Sequence, residues 1–221
     1  MPVRNPPLVT GETYHIMSRG VGGMPIFETP GNYRFFLKVL DYYRYSPPVR
    51  FGHFRVMPQD DQVKVLKHLQ QVQKPQVSVF CFCLMPNHFH FLVRQVADVG
   101  ISTWMRKSLN SYASAFNQKN NRRGTLYQGP FKAVRVVTDE QLLHVSRYIH
   151  INPYVGHVVG KQKLLHYPWS SLSLYLNGHD GWVYSDEILR HFTSAREYKD
   201  FLLDEADYKR QQKDWDYLSL E

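Results

Sequence analysis

The feature that most constrains the fold of this sequence is a nearly continuous apolar run, Val77 to Leu84, followed closely by a second apolar run, His88 to Val93. A short run without polar alternation is typical of a central β-strand that is covered on both faces. The linking residues, Met85-Pro86-Asn87, are few enough for a tight turn only. The two runs therefore predict a β-hairpin in the interior of a sheet.

Further strands and helices are predicted on both sides of this hairpin. Alternation and helical spacing indicate strands at Thr13 to Ser18 and Phe131 to Val137, and helices at Asn32 to Tyr45, from Asp60, at 101 to 118 and from Thr138. The last helix starts with a capping box and is predicted to end near Asn152, because Pro153 disfavours helical geometry before it. The order of elements predicts an α+β fold, a ferredoxin-like split βαβ sandwich with a central antiparallel sheet and helices largely on one face.

Charge divides the chain into two parts. The 221 residues include 27 Lys and Arg and 19 Asp and Glu, for a net charge of +8. Residues 1–179 carry 21 basic and 8 acidic side chains, a net +13, whereas residues 180–221 carry 6 and 11, a net −5. A strongly basic body indicates a polyanionic partner. We therefore expect a basic domain over residues 1–180 and an acidic, mainly helical extension over residues 181–221 packed on it.

Several classes of protein are disfavoured by the sequence. No stretch reaches the roughly 18 apolar residues that a membrane span needs, and the first residues lack the apolar core of a secretory signal. We therefore expect a cytoplasmic protein without a membrane partner. Its two cysteines, Cys81 and Cys83, stand two apart in an apolar run and are expected to be reduced and buried.

Two histidines occupy alternate positions in the second strand of the hairpin. His88 and His90, which we call the histidine pair, should project from one face of the strand while Phe89 and Phe91 enter the opposite layer. Two unpartnered imidazoles would be costly in such an apolar strand. The spacing indicates either a site that binds one cation or two satisfied core histidines.

The helix that begins after Thr138 carries a polar stripe. His144, Tyr148 and Asn152 are four residues apart and should stack on one helical face. Tyr148 would then present its phenol beside the amide of Asn152. The alternative is a half-buried tyrosine followed by an asparagine that ends the helix.

Four phrases follow one another along the chain. They are MPNHFHFLV (Met85 to Val93), GTLYQGPFKAV (Gly124 to Val134), RYIHINP (Arg147 to Pro153) and YPWSSLSLY (Tyr167 to Tyr175). In that order they resemble the single-tyrosine transposases of the HUH superfamily, and most of all the REP-associated tyrosine transposases. The resemblance extends from TYHIMSRG near the start to about residue 180, so it implies that residues 1–180 form an HUH catalytic domain.

The resemblance implies an enzyme, a metal-dependent DNA strand transferase and endonuclease. It implies that the histidine pair and Asn152 bind a divalent metal and that Tyr148 attacks single-stranded DNA. Such mixed nitrogen and oxygen ligation suits Mg²⁺ or Mn²⁺, although the histidines alone would also accept zinc. The product would be a 5′-phosphotyrosine beside a free 3′-hydroxyl, and rejoining would need no nucleotide cofactor. Tyr112 is a rival nucleophile. Tyr148 is preferred because it lies in a matching phrase and has Asn152 four residues on, whereas Tyr112 has Asn117 five residues on.

A basic loop and the strand after it supply candidate DNA contacts. Single-stranded DNA needs positive charge along its backbone and flat side chains for its unstacked bases. The candidates are Arg19, Lys119, Arg122, Arg123, Lys132 and Arg135, with Tyr127 as a stacking platform. Arg106, Lys107 and Arg147 lie near other matching segments. The alternative for each residue alone is a solvated basic surface.

Three functions are compatible with these residues. The first is a transposase that acts on single-stranded or hairpin DNA in the cytoplasm, associated with the nucleoid. The second is a metal-dependent hydrolase that uses activated water, for which Tyr148 would be dispensable. The third is a non-catalytic nucleic-acid-binding module. Both a monomer and a homodimer fit, since related short transposases can exchange tyrosine helices whereas the REP-associated branch resembles monomeric enzymes.

Overall fold

The computed structural model describes residues 7–178 and 181–211. Its strands are Thr13–Arg19 (β1), Val77–Met85 (β2), His88–Gln95 (β3) and Lys132–Val136 (β4). Its helices are Pro30–Tyr43 (α1), Phe51–Phe54 (α2), Gln59–Val72 (α3), Gly100–Lys119 (α4), Asp139–Val155 (α5), Lys161–Leu164 (α6), Leu172–Asn177 (α7), Asp186–Leu189 (α8) and Ala195–Asp204 (α9). Within these described ranges, no helix has both the length and the apolar character to span a bilayer.

The four strands form one antiparallel sheet in the order β2-β3-β1-β4. The hairpin of β2 and β3 follows the tight turn that the sequence predicts. β1 lies between β3 and β4, which are both far from it in the chain. This central position of β1 gives the strand order of a split βαβ fold. The predicted α+β class, with an antiparallel sheet that carries the histidine pair, is confirmed.

Helices cover both faces of the sheet. On one face, Phe36 of α1 lies 5.4 Å from Phe89, and Trp104 of α4 lies 5.5 Å from Phe91, measured between ring centroids. Helix α5 packs on the opposite face, against β2 and β3. This position of α5 differs from the expectation of helices largely on one face. The physical reason is that β2 and β3 carry apolar side chains on both faces. Helices must therefore pack on each face to bury these side chains from water.

Helix α5 begins as predicted but ends later. The hydroxyl of Thr138 accepts a hydrogen bond from the backbone N–H of Gln141 at 3.2 Å, as a cap should. The predicted end near Asn152 is wrong, because the helix continues through Pro153 for most of another turn. Proline removes only one N–H donor, and the N–H of Gly156 donates to the carbonyl of Asn152 at 2.7 Å.

Cys81 and Cys83 are unbridged and fully buried, as predicted. Both lie on the α5 side of the sheet, where Cys83 stands opposite His90. Burial raises the pKa of both thiols, so they stay protonated at neutral pH and pack as small apolar groups.

The acidic C-terminal segment packs on α5 and α7. Helices α8 and α9 bury Ile188, Tyr198 and Leu202 in the core. The expected helices therefore form between residues 181 and 211, while residues 1–6, 179–180 and 212–221 of the predicted domains lie outside the described residues. The division into domains 1–180 and 181–221 stays a prediction.

Candidate active site

A pocket with a volume of about 650 Å³ opens where β1, β3, the segment before β4 and α5 meet. Six of the residues singled out from the sequence line it, namely Arg19, His88, His90, Lys132, Tyr148 and Asn152. Residues 128–130 complete one wall. The pocket therefore joins the histidine strand, the tyrosine helix and two basic side chains in one place.

The cross-strand register explains why these side chains meet. Residues directly opposite each other in an antiparallel pair project from the same face of the sheet. Arg19 stands opposite His88, and Met17 stands opposite both His90 and Lys132. β1 thus places Arg19 beside the histidine pair, and β4 adds Lys132 on the other side of β1.

The histidine pair projects from one face, as predicted. The two ring centroids are 5.0 Å apart, with perpendicular planes, and His90 is only 5% exposed. Nδ1 of His88 lies 2.6 Å from Oδ1 of Asn87, and Nδ1 of His90 lies 2.9 Å from Nε2 of His15. Each imidazole therefore has a polar partner at Nδ1, and its Nε2 lies on the far side of the ring from that partner.

His15 is a candidate that the sequence reasoning missed. Its ring stacks on that of His90 with centroids 5.1 Å apart. Burial lowers the pKa of His15 to about 4, so its imidazole is neutral at pH 7. A neutral His15 can accept a hydrogen bond from Nδ1–H of His90, and that bond would keep Nε2 of His90 unprotonated. Alternation within β1 was visible in the sequence, but its pairing with β3 was not.

Helix α5 places Tyr148 next to the histidine pair. The Tyr148 ring meets His90 and His15 edge-on, with centroids 5.4 Å and 5.9 Å apart. Tyr148 is 45% exposed, whereas Asn152, one turn further along, is 5% exposed. The predicted stripe thus gives a tyrosine that a substrate can reach and an amide deeper in the same pocket.

Tyr112 lies on the opposite face of the sheet. It is 1% exposed, its ring packs on Phe27 and Phe36, and its hydroxyl donates to the carbonyl of Ile26. Burial raises its pKa. The sheet itself separates this phenol from the histidine pair, so the geometry does not support Tyr112 as the rival nucleophile.

The predicted DNA contacts fall into separate groups. Arg19 and Lys132 line the pocket. Lys119 ends α4, and Arg122 and Arg123 follow it in the loop that leads to the pocket wall. The side chain of Arg122 also donates to Oδ1 of Asn117 at 3.1 Å, which ties the start of the loop to α4.

Two of the predicted DNA contacts are not supported by their positions. Arg135 pairs with Glu12, with Nε 3.0 Å from Oε2, and stands opposite Tyr14 on the face turned away from the histidine pair. Its charge is already matched. The hydroxyl of Tyr127 is buried, and its ring packs edge-on near Phe89 at 6.4 Å. Tyr127 is half-buried and its hydroxyl is enclosed, so only part of the residue is open to an unstacked base.

Arg147, next to Tyr148 in the chain, points away from the pocket. It is 5% exposed, and its guanidinium lies 2.9 Å from the carboxylate of Glu205 and 4.2 Å from the ring of Phe201. Its Nη2 also lies 2.7 Å from Nδ1 of His144. Arg147 and His144 therefore connect α5 to the C-terminal segment, and His144 does not join the predicted stripe in the pocket.

The donor set in the pocket fits a divalent cation. Metal-binding histidines usually have a hydrogen-bond partner on their second nitrogen, and both members of the histidine pair have one. Two imidazoles with one amide oxygen suit Mn²⁺ or Mg²⁺, and the histidines alone would also accept Zn²⁺. Across the described residues no group of three or more His, Cys, Asp or Glu is arranged to hold a metal ion. Asn152, which lines the same pocket, offers an amide oxygen as a further donor.

The family model described as "Transposase IS200 like" matches residues 54–152. This segment contains β2, β3, α4, β4 and most of α5, with the histidine pair, Tyr148 and Asn152 among its residues. The match confirms the resemblance inferred from the sequence phrases. The chain is similar to IS200-like transposases across the segment that builds most of the pocket.

A solved structure described as "Structure of the REP associates tyrosine transposase bound to a REP hairpin" has the same fold. The TM-score is 0.54 at 12% sequence identity, and the match covers 85% of this chain and 93% of that chain. The similarity therefore extends through nearly the whole of that protein, beyond the segment that the family model matches. No significant match is found among the curated proteins.

Proposed function

We propose that this protein is a DNA transposase and single-strand endonuclease that cleaves and rejoins single-stranded DNA next to hairpins or repeats. Tyr148 would form a 5′-phosphotyrosine intermediate. The observation that carries the proposal is the edge-on contact of Tyr148 with His90 in one pocket with His88 and Asn152. The similar solved structure, a transposase bound to a REP hairpin, supports DNA as the substrate. A cytoplasmic, nucleoid-associated location is part of the proposal, because DNA is the substrate.

In the proposed reaction, the Tyr148 oxygen forms a bond to phosphorus while the P–O3′ bond breaks. The phenol loses its proton, the 3′-oxygen gains one, and the 5′-phosphate stays on the tyrosine. Attack by another 3′-hydroxyl reverses the step, so the number of ester bonds is conserved. Arg19 and Lys132 would stabilise the charge that builds on the phosphate. A divalent Mg²⁺ or Mn²⁺ held by the histidine pair and Asn152 would polarise the phosphate as a Lewis acid.

A single chain supplies every part of the proposed site. The histidine pair lies on β3 and Tyr148 on α5 of the same chain, and both line one pocket. No exchange of tyrosine helices with a second copy is needed to complete it. We therefore propose that the monomer is the active form.

The test is an adduct assay with short single strands that flank a hairpin, in the presence of Mn²⁺ or Mg²⁺. The expected result is a protein–DNA adduct that survives denaturation, together with a released fragment that ends in a 3′-hydroxyl. A hydrolase that uses activated water would release both fragments without an adduct. A binding module would leave the DNA intact, and either outcome would overturn the proposal.

DNA binding is expected to weaken steeply as the salt concentration rises. Arg19, Lys119, Arg123 and Lys132 lie in the pocket or on the loop that leads to it. Each phosphate that a protein neutralises on a single strand contributes about −0.7 to the slope of log affinity against log salt, so four contacts predict a slope of about −3. Fluorescence anisotropy with a labelled single strand measures this slope. A flat dependence would contradict the electrostatic part of the proposal.

Replacing His15 with Leu is expected to weaken Mn²⁺ binding by about 10- to 100-fold, because it removes the polar partner of His90 Nδ1. His15→Gln should bind Mn²⁺ more tightly than His15→Leu, since the Gln amide oxygen can accept the same hydrogen bond. Isothermal titration calorimetry with Mn²⁺ compares the two variants directly. Equal losses in both variants would show that His15 acts through packing alone, and no loss would show that it does not position His90.

A further inference from the structure

We call the pocket that contains the histidine pair the histidine pocket. A separate groove lies on the other face of the sheet, on the side of α4. Its volume is about 800 Å³, and its walls are the segment 47–55 and the outer face of α4. Tyr43 ties the walls together at the base. Its hydroxyl accepts a hydrogen bond from the N–H of Phe51 at 2.9 Å and lies 3.1 Å from Oγ of Ser111. The groove is therefore held in shape by α1 beneath it.

The groove is positively charged. Four basic residues line it, namely Arg50, Arg55, Arg106 and Lys107, and none of its described lining residues is acidic. The sequence explains this balance, since residues 42–59 and 99–138 contain no Asp or Glu. A site with several cations and no carboxylate suits a ligand with repeated negative charges.

Aromatic rings hold the cations in the groove. The guanidinium carbon of Arg55 lies 5.6 Å from the ring centroid of Phe35, and Nζ of Lys107 lies 5.9 Å from that of Tyr43. Tyr43 and Phe51 are only 4% and 5% exposed, and the guanidinium of Arg55 lies over the half-buried ring of Phe35. Among the described lining residues this leaves the imidazole of His53 as the exposed ring, and one imidazole is not a row of stacking platforms. Single-stranded DNA needs open rings on which its bases stack, whereas a duplex hides its bases and presents phosphates. The groove therefore favours a duplex.

A basic path connects this groove to the histidine pocket. Helix α4 runs along the groove and ends at Lys119, and the loop that follows carries Arg122 and Arg123. The same loop then supplies residues 128–130 to the wall of the histidine pocket. Along the chain, basic residues therefore continue from the groove through the end of α4 and this loop to the wall of the histidine pocket.

We propose that the groove binds the phosphate backbone of double-stranded DNA. This would be the stem of a hairpin whose single-stranded flank enters the histidine pocket. Asn110, Ser114 and Gln118 on the same face of α4 supply side-chain donors for phosphate oxygens. The role of the flank rests on the proposed function, but the binding of the stem can be measured without cleavage.

The test uses Arg50→Glu combined with Arg106→Glu. Both side chains are exposed, and neither forms an ion pair within residues 7–178 and 181–211, so the fold should not depend on them. At about 0.1 M salt, the affinity for a hairpin with a single-stranded flank should fall by about 30-fold or more. The affinity for the flank alone should change by less than about 3-fold. Lys163→Glu combined with Arg196→Glu gives the same change in net charge elsewhere and should alter both affinities by less than about 3-fold.

Three results would overturn the proposal. They are an unchanged affinity for the hairpin, an equal loss for hairpin and flank, or a matching loss in the Lys163→Glu, Arg196→Glu control. The proposed function is tested separately by the wild-type adduct. If the wild type forms no adduct but the groove variant still loses hairpin affinity, the groove stands and the proposed chemistry fails. If the adduct forms but hairpin affinity is unchanged, only the groove fails.

Discussion

Replacing Tyr148 with Phe is expected to abolish the covalent protein–DNA adduct and to lower the rate of strand cleavage by at least about 1,000-fold. Phe keeps the ring contacts with His90 and His15 but lacks the oxygen that would attack phosphorus. Because Tyr148 is 45% exposed, the free energy of unfolding should change by less than about 0.5 kcal/mol. Single-turnover cleavage and denaturing gels measure the loss, and anisotropy checks that DNA binding is retained.

Tyr112→Phe is the matched control, and the opposite result is expected. Loss of the buried hydroxyl leaves the carbonyl of Ile26 without its donor, which costs about 1 to 3 kcal/mol of stability. Adduct formation should persist at temperatures well below the unfolding midpoint. An adduct that disappears only in Tyr112→Phe, or that remains in Tyr148→Phe, would show that the nucleophile is assigned to the wrong tyrosine.

Local sequence patterns were sufficient to predict the hairpin and the tyrosine helix. The apolar run of β2, the short turn and the alternation of β3 depend on neighbours within a few residues, so the shared face of His88 and His90 was predictable. The spacing of Tyr148 and Asn152 on α5 is equally local. The two halves of the pocket could therefore be described before it was known how they meet.

Features that depend on pairing between distant residues were not predictable. β1 joins β3 across about 75 residues, so the contact of His15 with His90 could not be inferred from either strand alone. Tyr112 stands at a position on α4 that sequence spacing alone does not assign to a face of the sheet. Its place in the core opposite the histidine pair follows only from the packing of α4 on that face.

Charge counts describe a surface but not the partner of each side chain. Arg135 pairs with Glu12 and Arg147 with Glu205, in both cases across long separations in the chain. A count of basic residues includes both arginines as candidate DNA contacts, although each is already paired with a glutamate. Glu205 of the acidic C-terminal segment thus holds α5, the helix that carries Tyr148. The acidic segment therefore contributes to the position of the proposed nucleophile.

A buried hydrogen-bond network joins the C-terminal segment to α5, the helix that carries Tyr148. His150 on α5 is fully buried, with Nδ1 2.7 Å from the hydroxyl of Tyr198 and Nε2 2.8 Å from Oγ of Ser171. Oγ of Ser171 also accepts a hydrogen bond from the N–H of Phe82 on β2 at 2.8 Å. Burial lowers the pKa of His150 to about 3, so the imidazole is neutral at pH 7 and can donate with one nitrogen while it accepts with the other. The network connects α9, α5 and β2 through one ring.

Replacing Tyr198 with Ala is therefore expected to lower the free energy of unfolding by about 3 to 5 kcal/mol, because it removes a fully buried ring and the partner of His150. Tyr198→Phe keeps the ring and should cost about 1 to 3 kcal/mol. Tyr184→Ala, at a side chain that is 44% exposed, is the control and should change stability by less than about 0.5 kcal/mol. Urea unfolding measures all three variants.

The same variants separate two roles for the acidic segment. If the segment holds α5 in place, Tyr198→Ala should reduce adduct formation in step with its loss of stability, because Tyr148 lies on the helix that is loosened. If the segment instead shields the basic body, the variant should bind DNA more tightly without a large loss of stability. The burial of Tyr198 and Leu202 and the contact of Arg147 with Glu205 favour the first outcome. A stable Tyr198→Ala variant with raised DNA affinity would contradict it.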